Sequence, residues 1–122
     1  MSTKHIIHDS EVAAKQLPGR SHKMILRPDN VGTENMCFGV ADFPANAHAP
    51  EHIHENEEEI IYILSGEGEI YFDGKPEPVK PGSCVFIPGN VVHSINNTSD
   101  EVMKLAYVFS PPVVQGSYET KE

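Results

Sequence analysis

The chain of 122 residues carries 9 Lys and Arg against 18 Asp and Glu, a formal net charge of −9 at pH 7. This length predicts a single domain, and an acidic chain without a basic run argues against nucleic acid and anionic membranes as partners. The longest apolar stretches, at 60–64 and 105–109, are far too short to span a membrane. Because residues 1–16 contain no apolar signal-like segment, the expected location is the cytoplasm.

Short segments rich in β-branched and aromatic residues alternate with turn signals along the chain. One short helix is expected at residues 9–16, where the composition suits helix. Strands are predicted at 24–27, 35–43, 52–54, 59–64, 67–73, 84–87, 92–97 and 102–109. Nine Gly and ten Pro suit many short strands joined by tight turns. The fold class is therefore all-β, a small barrel or sandwich.

The chain divides into an N-terminal arm at 1–23, a barrel at 24–110 and a C-terminal tail at 111–122. The arm is a possible contact between subunits, since the edges and apolar faces of an open jelly roll need cover and favour a homodimer. Cys37 and Cys84 lie far apart without a C-x-x-C pair, which predicts buried free thiols and no disulfide.

Alternation predicts which side chains point into the barrel. In the last strand Lys104 faces water, so Met103, Leu105, Tyr107 and Phe109 share the interior face. The same reasoning on the other strands gives an expected apolar pocket. Its wall is drawn from Phe38, Val40, Ile61, Ile63, Phe72, Phe86, Ile95, Leu105, Tyr107 and Phe109.

Residues 48–59, HAPEHIHENEEE, carry the strongest chemical signal. On a strand, His52 and His54 would point to one face with Cα atoms about 6.5 Å apart, a spacing that suits two ligands of one ion. Glu59 opens an inward apolar row, where a carboxylate is costly unless it is paired or bound to metal. His93 also points inward in its strand. Taken alone, His52 and His54 would more simply be solvated loop residues, as we expect for His5, His8 and His22.

Two stretches resemble the signature motifs of the cupin superfamily, and both keep the spacing of the motif. The first matches at Asn46, His52, His54, Glu59 and Gly66. The second matches at Gly82, Pro88, Asn90, His93 and Asn97. Asn46 and Asn90 replace glycines of the family pattern, and asparagine is the non-glycine residue that best tolerates the left-handed backbone.

The resemblance implies a single-domain jelly-roll barrel, the cupin double-stranded β-helix. It also implies one divalent transition metal held by His52, His54, Glu59 and His93. Three imidazoles and one carboxylate suit Fe, Mn, Ni, Zn, Co or Cu, and the sequence does not select among them. An ion that keeps net positive charge favours an anionic or chelating oxygen ligand.

The resemblance further implies a metal-dependent enzyme that acts on a small oxygenated metabolite. Dioxygenase, decarboxylase, isomerase and lyase chemistry all remain open, because fold does not fix function. Catalytic candidates are Glu59, which could act as a base, His48 near the expected barrel mouth, and Tyr107 in the pocket. The alternative is a non-catalytic module that binds or senses a small acid or sugar. A structural cupin with an empty site is a third possibility.

Overall fold

A computed structural model describes residues 5–113, which form nine strands, a 3-10 turn at Asp9–Glu11 and a single helical turn, α1, at Pro28–Val31. The strands are β1 Lys15–Leu17, β2 Arg20–Leu26, β3 Cys37–Phe43, β4 Glu58–Ser65, β5 Gly68–Phe72, β6 Lys75–Val79, β7 Cys84–Ile87, β8 His93–Asn97 and β9 Met103–Ser110. The all-β fold class predicted from the sequence is confirmed.

The strands form two antiparallel sheets. The larger has the order β1-β2-β3-β9-β4-β7, and the smaller has the order β6-β5-β8. The segment between β3 and β4 adds to the smaller sheet through two isolated bridges, from His48 to Asn96 and from His52 to His93. This segment therefore leaves the larger sheet after β3, pairs with β8 of the smaller sheet and returns to the larger sheet at β4.

One hydrophobic core joins the two sheets. Ile61 and Ile63 of β4 are fully buried, as is Ile70 of β5 in the smaller sheet. Burial of each such side chain contributes about 1.5–3 kcal/mol to stability. The inward row predicted for β9, Met103, Leu105, Tyr107 and Phe109, is buried throughout.

Turn chemistry follows the sequence closely. Asn46 and Asn90, the two residues that replace motif glycines, have φ values of 59° and 64°. Both lie in the left-handed region that asparagine tolerates. Asp73 and Gly74 have φ values of 50° and 83°, as a type I′ hairpin between β5 and β6 requires.

The N-terminal region differs from the sequence prediction. The expected helix at 9–16 is limited to the 3-10 turn, and the large sheet begins at Lys15, ahead of the boundary placed at residue 24. Strand β2 starts at Arg20 and not at Met24. Its first half is polar, so the sequence there lacks the apolar alternation from which strands are predicted.

Two further elements also differ. β6 contains Pro76 and Pro78, which weigh against a strand in sequence terms, yet β6 lies at a sheet edge, where the missing N–H groups cost nothing. The predicted strand at 52–54 is a loop with a single bridge at His52.

Both cysteines are free, but only Cys37 is buried. Burial was also expected for Cys84, and that expectation is wrong. Cys84 and Phe86 point outward from β7, whereas Ile87 is buried. Within residues 5–113, no helix has the length and apolar character that crossing a membrane requires. Part of the predicted N-terminal arm and nearly all of the C-terminal tail lie outside the described residues.

Candidate metal centre

Three histidines converge between the two sheets. His52 and His54 belong to the segment between β3 and β4, and His93 is the first residue of β8. One ring nitrogen from each lies within 4.8 Å of the others. The ring centroids of His52 and His93 are 4.2 Å apart, and those of His52 and His54 are 5.1 Å apart. This cluster could hold a metal ion.

Backbone pairing fixes the positions of the three residues. His52 N–H donates to His93 O at 2.9 Å, and His93 N–H donates back to His52 O at 3.0 Å. His54 O accepts from Asn90 N–H at 2.8 Å. The left-handed turn at Asn90 therefore connects the two histidine-bearing stretches. Positions 52 and 54 of the first motif thus meet position 90 of the second motif, which lies far along the chain.

Hydrogen bonds at Nδ1 of His52 and His93 leave Nε2 of each ring available as a metal ligand. His52 Nδ1 lies 3.2 Å from Pro50 O, and His93 Nδ1 lies 2.9 Å from Val91 O. A carbonyl oxygen only accepts, so Nδ1 carries the proton and Nε2 carries the lone pair in the neutral ring. Burial, together with the nearby His93, lowers the pKa of His52 to about 3. Its ring is therefore neutral near pH 7, as a metal ligand must be.

Glu59 approaches the three histidines from the larger sheet. It lies on the inner face of β4 with Ile61 and Ile63, as the alternation predicts. Its Oε1 is 3.6 Å from His93 Nε2. Among residues 5–113, neither of these two buried atoms has a hydrogen-bond partner. Burial raises the pKa of Glu59. A cation between the two atoms would satisfy both, so the donor set fits a metal ion.

A cavity of about 60 Å³ lies against His52, His54 and Glu59. The rest of its wall is mainly apolar, with three polar residues on one side. The lining residues are Leu17, Arg20, His22, Ala41, Phe43, Ala49, His52, His54, Glu59, Ile95, Leu105, Tyr107 and Phe109. By volume the cavity holds about four water molecules or one small polar ligand.

The structure places only part of the predicted pocket wall at this cavity. Ile95, Leu105, Tyr107 and Phe109 line it. Ile61 and Ile63 are buried in the core without reaching it.

The remaining members of the predicted wall lie elsewhere. Phe38 and Val40 are on the outer face of β3, because Cys37, Gly39, Ala41 and Phe43 point inward. Phe86 is 55% exposed, and Phe72 lines a separate surface depression. These four residues were expected in the wall because they are apolar. Apolar character does not tell the inner face from the outer face when a strand is apolar on both.

Two of the three catalytic candidates lie at the cavity and one does not. Glu59 and Tyr107 line the cavity, whereas His48 is exposed and away from it. Arg20 and His22, which the sequence did not single out as site residues, are buried in the cavity wall. His22 was expected at the surface, and that expectation is wrong. The signal that could have found both is their place on the inner face of a polar strand, β2.

The model of the cupin domain matches residues 39–109, more than half of the chain. The chain belongs to the cupin family. It is similar to the L-ectoine synthase of Aliivibrio fischeri (strain MJ11), with 33% identity over 107 residues that cover 86% of this chain and 80% of that protein. It is also similar to Protein SchB of Streptomyces halstedii, with 28% identity over 106 residues that cover 87% and 77%.

Comparison with solved structures supports the same fold. A predicted oxalate decarboxylase from Thermotoga maritima superimposes with a TM-score of 0.77 and 26% sequence identity. The match covers 86% of this cupin and 97% of that chain. The two motifs at 46–66 and 82–97 therefore correctly indicated the family, and the three-histidine cluster lies where both motifs meet.

Proposed function

We propose that this cupin is a metal-dependent enzyme that acts on a small oxygenated metabolite. His52, His54, His93 and Glu59 would hold one divalent transition metal. The observation that supports this most strongly is the buried contact of 3.6 Å between Glu59 Oε1 and His93 Nε2, next to two further imidazoles and an open cavity. Four groups of this kind gain little from one another in the absence of a cation.

The bound ion would act as a Lewis acid on a chelating oxygen group of the substrate. Fe, Mn, Ni, Zn, Co and Cu all accept such a ligand set. The residues around the ion define the rest of the site. Glu59 supplies a single negative charge, and the Arg20 guanidinium lies in the same wall, so the cavity favours an anionic ligand. Leu105 and Phe109 exclude water from the reacting groups.

The size of the cavity supports a small substrate. A space of about 60 Å³ suits a compact acid, keto acid or enediol, and a larger substrate would require the wall to move. The relatives support enzymatic activity, since L-ectoine synthase and the predicted oxalate decarboxylase are named as enzymes. Their activities differ from each other, so the reaction of this cupin remains open between decarboxylase, dioxygenase, isomerase and lyase chemistry.

Metal analysis tests the proposal directly. Protein purified without chelators or immobilised metal should contain close to one transition metal ion per chain. His54→Ala should lose most of this metal while keeping the β-sheet circular dichroism spectrum. His5→Ala, which changes an exposed histidine away from the site, is the matched control and should retain the metal. Wild-type protein that binds no transition metal would contradict the proposal.

A substrate screen then separates catalysis from binding. The metal-loaded protein is incubated with diketones, thiols, sugar acids and short keto acids, while oxygen uptake and products are followed. Turnover that is lost in His54→Ala supports an enzyme. A ligand that co-purifies and stays chemically unchanged during prolonged incubation would instead favour the non-catalytic binding module.

A homodimer remains part of the proposal. Ile60 and Phe86 pair across β4 and β7 and are 49% and 55% exposed, and Tyr62 beside them is 46% exposed. A contiguous apolar patch of this kind marks an interaction surface. A second copy of the chain suits it, because a patch without charge is where two strongly acidic molecules approach with least repulsion.

A further inference from the structure

A buried hydrogen-bonded pair lies in the cavity wall outside the proposed metal ligands. Tyr107 Oη and His22 Nδ1 are 2.8 Å apart. Both side chains line the cavity, and their residues are only 6% and 7% exposed. Tyr107 belongs to β9 and His22 to β2, and β3 lies between these strands in the sheet. The phenol therefore reaches across an entire strand.

Gly39 of β3 makes this contact possible. It pairs with Tyr107 on one side and with Met24 on the other. A Cβ atom at position 39 would lie 2.5 Å from Tyr107 Oη and 2.6 Å from its Cζ. The same Cβ atom would lie 2.6 Å from the backbone oxygen of Lys23. Real Cβ atoms do not approach other heavy atoms this closely, so any larger residue would displace the phenol and also press on the neighbouring strand β2. The glycine forms a cradle that holds the hydroxyl against His22.

The pair faces the metal centre along one wall. The ring of Phe109 lies 4.8 Å from the ring of His54 and 5.5 Å from the ring of Tyr107, measured between centroids. A substrate anchored at the histidines and extending over Phe109 would present its far end to Tyr107. The phenol hydroxyl is thus placed to exchange a proton with a group a few bonds away from the anchored oxygen atoms.

We propose that Tyr107 is the catalytic acid and base of this cupin, and that His22 and Gly39 are the residues that position it. The proposal rests on the proposed function, because the metal centre must orient the substrate. It extends that function by assigning the proton transfer to a pair of residues that is not coordinated to the metal.

The proton transfer can be written in full. A substrate C–H or O–H bond breaks, its proton moves to Tyr107 Oη, and its electron pair stays on the substrate as an enolate or alkoxide. At the same time the proton of Tyr107 moves along the hydrogen bond to His22 Nδ1, which becomes positively charged. The reverse transfer delivers a proton to the same or a neighbouring atom of the substrate. No oxidant or other reactant is consumed.

Deuterium exchange into pyruvate tests this step with a defined probe. Pyruvate chelates a divalent ion through two oxygens, and its methyl group carries exchangeable hydrogens. Zinc-loaded protein in D₂O should accelerate methyl exchange, followed by NMR, above the rate with free Zn²⁺. Tyr107→Phe should lower the protein-catalysed rate by about 100-fold. His22→Gln and Gly39→Ala should also lower it, because each disturbs the position of the hydroxyl.

Two measurements separate a chemical role from a structural one. Zinc content and pyruvate affinity should be unchanged in Tyr107→Phe, since the hydroxyl is not a proposed ligand. The ¹⁵N signal of His22 Nδ1 should shift in both Tyr107→Phe and Gly39→Ala, because both lose the hydrogen bond. Tyr62→Phe, which removes a hydroxyl on the outer face of β4, is the matched control and should exchange at the wild-type rate.

The outcomes that overturn the inference are distinct from failure of the proposed function. Wild-type protein that does not retain zinc overturns the proposed function and this inference together. Zinc-loaded protein that exchanges pyruvate no faster than free Zn²⁺, or a Tyr107→Phe variant that exchanges as fast as wild type, overturns the proton-transfer pair alone. If Gly39→Ala does not fold, the Tyr107→Phe result decides.

Discussion

Glu59 and His93 face each other across the two sheets, with Glu59 Oε1 3.6 Å from His93 Nε2. Glu59 comes from β4 of the larger sheet and His93 from β8 of the smaller one. Burial raises the pKa of Glu59, because removal from water destabilises the charged carboxylate relative to the protonated acid. A cation at this position would relieve that cost and hold the two sheets together.

Glu59→Gln should therefore have two opposite effects. It removes the only anionic donor of the proposed set, so metal affinity should fall roughly tenfold or more, which is about 1.4 kcal/mol or more. The metal-free variant should be more stable than metal-free wild type at pH 8, because an amide replaces a buried carboxylate whose pKa is raised in the fold. Chelator competition and thermal unfolding measure the two effects.

The control for this experiment is Glu58→Gln, which neutralises the exposed neighbour on β4. It should leave both metal affinity and stability nearly unchanged. Equal metal affinity in Glu59→Gln and wild type would show that the carboxylate is not a ligand.

In metal-free protein, the contribution of His52 to stability should fall as the pH falls. Burial lowers the pKa of His52 to about 3, below its value of 6.5 in a model compound. The neutral ring is favoured in the fold, so the contribution is complete above pH 6.5 and is lost progressively toward pH 3. Between these limits one pH unit corresponds to about 1.4 kcal/mol for one group. Urea unfolding of metal-free wild type and His52→Gln across this range measures the difference, and identical slopes would contradict it.

Asn97 should be essential for stability and not for metal binding. The two N–H groups of its fully buried amide donate to Phe43 O at 2.9 Å, Pro44 O at 3.0 Å and Glu101 O at 2.6 Å, with one N–H shared between two carbonyls, and its Oδ1 accepts from Ser99. Asn97→Ala leaves these groups without their partner.

We expect Asn97→Ala to cost about 3 kcal/mol of unfolding free energy. Asn96→Ala, at the neighbouring half-buried position, should cost much less. Chemical denaturation compares the two variants, and similar losses would show that the hydrogen bonds of Asn97 are not responsible.

The two thiols should react at very different rates. Cys84 is exposed on β7, whereas Cys37 is buried and burial raises the pKa of its thiol. A raised pKa leaves less of the reactive thiolate at any given pH, and burial also blocks access. At pH 8 a disulfide reagent should titrate one thiol quickly and the second only after unfolding. Cys84→Ser should lose the fast reaction and Cys37→Ser should keep it, and the reverse pattern would contradict the burial of Cys37.

The outer face of β4 offers a test of the homodimer. Ile60→Glu places a charge in the apolar patch and should shift a dimer toward monomer in analytical ultracentrifugation. Met36→Glu, at an exposed apolar position just before β3 and outside both the N-terminal arm and the patch, is the matched control and should not change the association. A wild-type protein that sediments as a monomer at all concentrations would exclude a second copy as the occupant of this patch.

Sequence patterns predicted the family and the three histidines that converge because both depend on local spacing. Asn46 and Asn90 adopt the left-handed backbone that the motifs require, and His52 and His93 are brought together by direct backbone pairing. The faces of strands were predicted correctly where a charged residue marked the solvent side, as Lys104 does in β9.

The side chains that shape the cavity were harder to predict. In β3 the larger residues Phe38 and Val40 point outward and the small residues Gly39 and Ala41 point inward, and Gly39 leaves room for the phenol of Tyr107. A prediction based on the size and apolar character of Phe38 and Val40 therefore placed them on the wrong face of β3. His22 was missed for the opposite reason, since a polar residue on an inner face resembles a surface residue in sequence. Contacts across three strands cannot be inferred from periodicity within one.

A bound ion would restrain the segment between β3 and β4. It carries His52 and His54 without regular secondary structure, while Glu59 and His93 belong to strands of different sheets. An ion bound by all four would act as a cross-link between a loop and both sheets, as a disulfide does between two stretches of chain. Binding of the ion would then slow the exchange of amide hydrogens in this loop, and removal of the ion would speed it. Occupancy of the metal site could thus be followed residue by residue without knowledge of the reaction.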